Sequence, residues 1–336
     1  MAAVVVLPVS GPGSGFSFAD PRIAESSGLV VLDSGSMVTT NDSGDVGRVF
    51  VVAPTGRTVR VAHWSSEAVD QESLAPSVHA DRVWVGDIGD NGARRSTIVL
   101  REVGVAADNA GTVFRMIRAV YPDRAHDAET LMLAPDGRLV IVTKGFLGGT
   151  LYAVPAADME GSAERTTLEQ VSSAGAMLAM ATDGGFVPGG SHFLVRGYVS
   201  ATLYAWPSLE RIGSMPLPAQ RQGEGMAIAS DGAVWLTSEG PRSEVLRIGL
   251  SEKLAAAAAA GSGSGDASDS SSPTAPPVAS DRTVPTVPTG GTGATDPVIA
   301  PSARSWWPWV AGGVVGVGLL AYLGRALRGP GRRTPR

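Results

Sequence analysis

The segment GDIGDN, residues 86–91, places two aspartates, one asparagine and two glycines directly after the hydrophobic run Val83-Trp84-Val85. Side-chain oxygens at this density are the ligands that a hard cation such as Ca²⁺ prefers. The same residue types also cap tight turns by hydrogen bonding to their own backbone. Ile98 stands where an EF-hand loop starting at Asp87 requires a glutamate, which excludes an EF-hand. An ion site assembled from several parts of the chain and a simple turn both stay open as interpretations.

The acids of this segment belong to a design that recurs along the chain. Five segments share a leading acid, a short apolar run, a tight turn and a second apolar run that ends in a polar residue. The leading acids recur about every fifty residues, and they are Glu25, Glu72, Glu129, Asp183 and Glu224. The polar residues that follow about fifteen positions later are Asp42, Asp87, Lys144, Arg196 and Glu239.

This repeat predicts an all-β fold, a β-propeller. Each unit contains about four strand-like runs, and four-stranded units at this period are the signature of propeller blades. The fifth unit ends after three runs, and GFSFADP at 15–21 supplies the missing strand and closes the ring. The count favours five blades. Six blades stay open because the second and third units are long enough for extra strands, and two packed sandwiches are the rival architecture.

In such a blade the start of the first strand and the end of the second lie at the same edge. The paired groups of all units therefore converge on one mouth of the central channel, with Asp90 as a further acid. Carboxylates this close raise one another's pKa unless a cation or a base lies between them, and oxygen ligands from several blades suit Ca²⁺ or Mg²⁺. The predicted metal ligands are Glu25, Asp42, Glu72, Asp87, Asp90, Glu129, Asp183, Glu224 and Glu239. Turn capping, or neutralisation by Lys144 and Arg196, is the alternative interpretation of the same residues.

Composition excludes several classes of function. The chain has no cysteine, which removes disulfides, thiolate catalysis and Cys-ligated zinc. A formal net charge of −5 gives no reason to expect nucleic acid as a partner. The sequence holds no nucleophile elbow, zinc-protease helix, phosphate loop or dinucleotide glycine motif. It therefore names no catalytic and no cofactor-binding residue.

An uncharged run at 306–324 predicts a single transmembrane helix. Three tryptophans within 306–309 suit one membrane interface, and arginines follow the other end of the run. By the positive-inside rule the arginine tail is cytoplasmic, which places the propeller outside the cell membrane. Export requires a signal, and the apolar N-terminus fits a signal-peptide remnant. Insertion as a tail anchor, with the domain in the cytoplasm, stays open.

The predicted organisation has five segments. They are a signal-peptide remnant at 1–13, the propeller at 14–252, an Ala/Gly/Ser/Thr/Pro-rich linker at 253–304, the transmembrane helix at 305–324 and a basic cytoplasmic tail at 325–336. The composition of the linker is typical of a disordered stalk that holds a domain away from a membrane.

The segments AESSGL, NDSG, GDIGDN, AETLMLAPDGRLVIVTK and GEGMAIASDGAVWLTSEG are similar to those of exported actinobacterial propellers, allied to phytase-like and esterase-like propellers. The resemblance covers about residues 15–250. It implies acids at the channel mouth that bind calcium ions, which in turn hold a phosphate substrate. By position, Glu25, Glu72, Asp87, Glu129 and Glu224 match that role. Only Lys144 and Arg196 are at the mouth to grip phosphate, which departs from the pattern.

The function expected from the sequence is binding at the cell surface. The propeller face would hold a ligand or a protein partner, with Ca²⁺ as a candidate cation at the channel mouth. A metal-dependent hydrolase of phytase-like or lactonase type is the second hypothesis. A cytoplasmic, tail-anchored scaffold is the third.

Overall fold

The computed structural model describes residues 13–42, 44–64, 68–161 and 165–261. The predicted linker beyond 261, the transmembrane helix at 305–324, the basic tail and residues 1–12 lie outside this part of the chain and stay predictions. Among the described residues, none of the helices combines the length and the apolar character that crossing a bilayer requires.

The described chain forms five antiparallel blades in sequence order. It starts with β1 (Gly13–Ser17), and the first blade is β2 (Ser26–Val31), β3 (Met37–Asn41), β4 (Arg48–Val52) and β5 (Thr58–His63). The second blade is β6 (Gln71–Pro76), β7 (Arg82–Asp87), β8 (Ile98–Gly104) and β9 (Val113–Val120). The third is β10 (Ala128–Leu133), β11 (Leu139–Thr143) and β12 (Leu151–Ala153), followed by α1 (Ala156–Glu160), β13 (Arg165–Thr167) and β14 (Glu169–Gln170). Strand β14 completes the third blade, whereas β13 pairs in parallel with β9 and extends the second.

The last two blades include the closure of the ring. The fourth is β15 (Asp183–Phe186), β16 (His192–Arg196), β17 (Ser200–Ala205) and β18 (Arg211–Pro216). The fifth is β19 (Gly223–Ile228), β20 (Val234–Ser238) and β21 (Glu244–Ile248), with β1 as its outermost strand. Strand β1 runs antiparallel to β21, and Gly13 pairs with Arg247 and Ser17 with Glu244. The predictions of five blades and of a fifth blade completed by the N-terminal strand are confirmed.

Apolar residues of both faces of each sheet fill the spaces between blades. In β7, Val83 and Val85 pack against the first blade, while Trp84 between them packs against the third. Side chains alternate between the two faces of a strand, so a blade covered on both sides needs an uninterrupted apolar run. This explains why the inner strands of the sequence read as short hydrophobic blocks. Five buried clusters occupy the five spaces between neighbouring blades.

The propeller domain continues beyond the predicted boundary at 252. Helix α2 (Glu252–Gly261) covers the alanine run that composition assigns to the start of the linker. Leu254, Ala255 and Ala258 are buried against the fourth and fifth blades. Alanine has the highest helix propensity, and three apolar residues on one face give this helix a surface to bury. Within the described residues, the packed domain therefore includes this helix.

Candidate functional site at the channel mouth

The inner strands begin, and the second strands end, at one edge of the disc, which we call the mouth face. The loops that follow the second strands lie on it, as do the connections between blades. In the second, third and fifth blades the paired residues at this edge are Gln71 with Asp87, Ala128 with Thr143, and Gly223 with Ser238. A register shift follows each pair, and Glu72, Glu129 and Glu224 lie in it. All three side chains are buried at the channel.

The first blade departs from the predicted alignment of leading acids. Its pair at this edge is Ser26 with Asn41, so Ser27, and not Glu25, occupies the position of Glu72. Ser27 Oγ donates to the backbone oxygen of Glu72 at 2.8 Å. Glu25 lies two residues earlier and is exposed. Its backbone forms an isolated antiparallel β-bridge with Glu239 of the fifth blade, at the seam of the ring.

Three carboxylates converge where the first and second blades meet. One oxygen each of Asp42, Asp70 and Glu72 lies within 4.8 Å of the other two. Asp70 and Glu72 are buried and Asp42 is half-buried. Two oxygens bound to one Ca²⁺ lie at most about 5 Å apart, because Ca–O distances are about 2.3–2.6 Å. The three side chains can therefore reach a single Ca²⁺ as they stand.

One carboxylate of this cluster, Asp70, is poorly satisfied by the described part of the protein, whereas Glu72 Oε2 accepts from Ser27 Oγ at 3.2 Å. Asp70 Oδ1 is buried and has no hydrogen-bond partner among the described residues. Burial first, and then the charge of Asp42, raises the pKa of Asp70 to about 7. The same two causes raise the pKa of Glu72 well above its usual range. Buried acids without donors are costly unless a proton or a cation neutralises them.

Gly89 leaves the space that this cluster needs. A Cβ atom at this position would lie 2.6 Å from both Asp70 Cγ and Glu72 Oε1. The backbone nitrogen of Gly89 donates to the backbone oxygen of Asp70 at 3.2 Å. The second glycine of GDIGDN thus lets the loop pass directly over two carboxylates.

Asp87 of the same hexapeptide is instead fully occupied by donors. Its oxygens accept from the guanidinium groups of Arg95 at 2.8 Å and Arg101 at 3.1 Å. They also accept from the backbone nitrogens of Val69 and Asp70, at 3.2 and 3.1 Å. Asp87 therefore anchors the segment that carries Asp70, and the structure does not bring it into the carboxylate cluster.

Asp90 organises the turn that follows. Its Oδ2 accepts from the backbone nitrogens of Arg94 at 2.5 Å and Arg95 at 2.6 Å. Its own backbone nitrogen donates to Asp127 Oδ1 of the third blade at 2.8 Å. Asp90 thus caps a turn and joins two blades.

A second group of acids surrounds Lys144 at the mouth. Lys144 Nζ donates to Glu129 Oε1 and lies 5.4 Å from the ring centre of Tyr198. Burial alone would lower the pKa of Lys144, but Glu129 outweighs it and raises that pKa. Burial raises the pKa of Glu224, and burial together with Glu224 raises that of Glu239 to about 7. A single ammonium group thus partly offsets the negative charge of several carboxylates.

Asp183 and Arg196 lie deeper, inside the channel. Asp183 accepts from Ser73 Oγ at 2.8 Å and from the backbone nitrogen of Met226 at 2.7 Å, which links three blades across the channel. Burial outweighs these hydrogen bonds and raises the pKa of Asp183. Arg196 donates to the backbone oxygen of Gly225 at 2.9 Å. Both residues hold the inner strands together, away from the three-carboxylate cluster.

Asp70 is the site residue that sequence reasoning missed. It lies two positions before Glu72, and Asp127 lies two positions before Glu129. Glu25 has the same place relative to Ser27. An outer tier of acids therefore precedes the inner tier, and the repeated pattern acid-x-acid at 70–72 and 127–129 was the available signal.

Comparisons with known proteins name no family for this chain. No protein-family model matches the sequence, and no curated protein matches it either. Among solved structures, a gluconolactonase of Xanthomonas campestris is similar with a TM-score of 0.44 and 16% identity, over 72% of this chain and 90% of that chain. A similarity at this level carries no inference about activity, and the propeller fold rests on the strand pairing described above.

Proposed function

We propose that this protein is a surface propeller that binds a divalent cation, Ca²⁺ in the first place, at the mouth of its channel. Asp42, Asp70 and Glu72 are the protein ligands. The observation that carries the proposal is the convergence of their oxygens within 4.8 Å, with a buried Asp70 oxygen that nothing in the described chain satisfies. The remaining predicted acids contribute negative electrostatic potential around the site, while Asp87 and Asp90 hold the loops in place.

Titration of the full-length chain with calcium tests this. After treatment with EDTA, calorimetry should show saturable binding, and calcium at ~100 times Kd should raise the free energy of unfolding by about 2.7 kcal/mol. The double variant Asp42→Asn/Glu72→Gln should lose both effects. The double variant Asp136→Asn/Glu169→Gln makes the same two changes at exposed positions and should keep them. A parent protein that neither binds calcium nor melts differently up to ~10 mM would refute the proposal.

The proposed location is the outer surface of the cell membrane, with the propeller outside and the C-terminus in the cytoplasm. The support is the uncharged run at 306–324 and the arginines after it. Protease added to intact cells should then release the propeller. A domain that stays protected until the cells are lysed would favour the tail-anchored, cytoplasmic alternative.

A cation-dependent hydrolase of lactones or phosphoesters is the second candidate. A cavity of about 270 Å³ opens beside the mouth and is bordered by Arg221, Glu239 and Ser243. The cavity offers space for a small substrate, and Glu239 is a mouth carboxylate on its wall. Hydrolysis of p-nitrophenyl phosphate or δ-valerolactone that needs calcium and is lost in Glu239→Gln would support this candidate. Calcium binding without any turnover of either compound would leave binding as the function.

A further inference from the structure

Exposed apolar side chains are concentrated on the mouth face. Among the described residues, the three most exposed large ones are Leu147 (92%), Phe146 (82%) and Val199 (76%). All three lie in loops that follow the second strand of a blade, after β11 and after β16. Val46, after β3, and Val69, in the connection before β6, add to this rim and are more than half exposed. Apolar rims of this kind mark interaction surfaces.

Acids line the inner side of the same rim. Glu25 is exposed and Glu239 is half-buried. Their backbones pair in an isolated β-bridge at the seam between the first and fifth blades. Neither has an ion-pair partner among the described residues. Within the described ranges, the Glu239 carboxylate accepts from the neutral Gln222 amide, at 2.5 Å. Two nearby cations already have partners, since Lys144 pairs with Glu129 and Arg95 pairs with Asp87. Arg221 borders the same cavity as Glu239 but forms no ion pair with it among the described residues.

We infer that the mouth face is a docking surface for a protein segment that presents a lysine or arginine flanked by apolar side chains. The basic group lies against Glu25 and Glu239, and its apolar neighbours cover Phe146, Leu147 and Val199. Complementary charge specifies the centre of such an interface, and apolar anchors around it exclude water. The inference does not require the divalent cation, because Glu25 and Glu239 lie outside the three-carboxylate cluster.

A membrane surface is the other occupant that exposed Phe and Leu side chains suit. The acids in the middle of this face oppose it, because anionic lipid headgroups would lie against carboxylates. A protein partner with a basic group matches both the rim and the centre. The two occupants give different results in one experiment.

The test is site-specific photocrosslinking of the full-length chain in the cells that produce it. The photoreactive amino acid p-benzoylphenylalanine replaces Leu147 on the mouth face or, as the matched control, Val78 on the opposite face. Val78 is 74% exposed and lies in the turn before β7. A second mouth position, Val199, covers the case in which the first variant fails to fold. Crosslinked peptides are mapped by mass spectrometry, and each probe is combined with Glu25→Gln/Glu239→Gln.

The expected result is one protein crosslinked from 147 and 199 but not from 78. The mapped peptide carries Lys or Arg next to apolar residues, and the yield falls at least fivefold in the double glutamine variant. A synthetic copy of that peptide should bind the purified chain equally well with and without EDTA. Equal yields from 78 and 147, no product from either mouth position, or peptides without a basic residue would overturn the inference. So would binding of the purified chain to phosphatidylcholine/phosphatidylglycerol vesicles that Leu147→Ser abolishes.

Discussion

Two aspartates at the mouth, Asp87 and Asp70, have the same side chain but opposite hydrogen-bonding environments. Asp87 accepts from two arginines and two backbone nitrogens, whereas Asp70 has a buried oxygen with no hydrogen-bond partner in the part of the chain that the structure describes. Both are almost fully buried. The number of donors around a buried carboxylate therefore separates a structural acid from a candidate ligand better than residue type or burial does.

Removing the charge of Asp87 should give the largest effect. In Asp87→Asn, Arg95 and the buried Arg101 lose their anionic partner, and breaking a buried pair in this way costs about 3 kcal/mol. Urea unfolding of the full-length chain without calcium measures the loss. Asp90→Asn is the matched control, because an asparagine oxygen still accepts from Arg94 and Arg95 and caps the turn. Its stability should change by less than ~0.5 kcal/mol. Equal losses in both variants would show that the two arginine partners of Asp87 do not set it apart from a turn-capping aspartate such as Asp90.

Asp70 should make the cation-free protein less stable as pH rises. Its pKa is about 7 in the folded chain, against an ordinary value of 3.8. Between these values the folded state binds more protons than the unfolded state, so the free energy of unfolding falls with increasing pH. We expect a fall on the order of 2 kcal/mol from pH 5 to pH 8, with other mouth acids contributing.

Asp70→Asn should reduce that slope by a measurable part, and saturating calcium should reverse its sign because the cation competes with protons. Urea unfolding at pH 5, 6, 7 and 8, with EDTA or with calcium, gives both slopes. A stability that rises with pH in EDTA, or a slope unchanged in Asp70→Asn, would contradict the description of Asp70 as an unsatisfied acid.

Gly89→Ala should have the smallest effect on stability and a selective effect on the cation. The added methyl group would meet Asp70 and Glu72 at 2.6 Å, so the carboxylates must move apart. We expect a loss of about 1 kcal/mol in stability and a calcium affinity about tenfold weaker, which corresponds to 1.4 kcal/mol. Gly92→Ala is the control, since its Cβ would meet nothing closer than 3.6 Å. Calorimetry showing equal affinities for both variants would place the cation elsewhere.

The sequence was sufficient for the architecture because the architecture repeats. Four strand-like runs per unit, and a fifth unit that lacked one, predicted both the blade number and the closing strand. The sequence was not sufficient to predict which individual side chains face the channel. In four of the five blades a register shift at the start of the inner strand changes which side chain faces the channel. Glu25 was therefore aligned with Glu72, although the fold places Ser27 there.

The roles of the individual acids depend on contacts that spacing does not encode. Arg95 and Arg101 lie eight and fourteen positions from Asp87, in a loop and in the next strand, and nothing in the local pattern reveals that both reach it. Asp70 was overlooked because the repeat was defined by one acid per unit. Its significance arises from Asp42 in another blade, a proximity that only the closed ring creates.

The pairing of β1 with β21 has a mechanical consequence. Because the two strands are antiparallel, Gly13 and Ile248 leave the fifth blade at the same end of the pair. Tension applied between these two points would load the hydrogen bonds of the pair one after another, as in the opening of a zip, and not all together as in shear. Optical-tweezer extension from these points should therefore show the ring opening at low force before the other blades unravel. The propeller would then give way first at its seam, where its first strand meets its last.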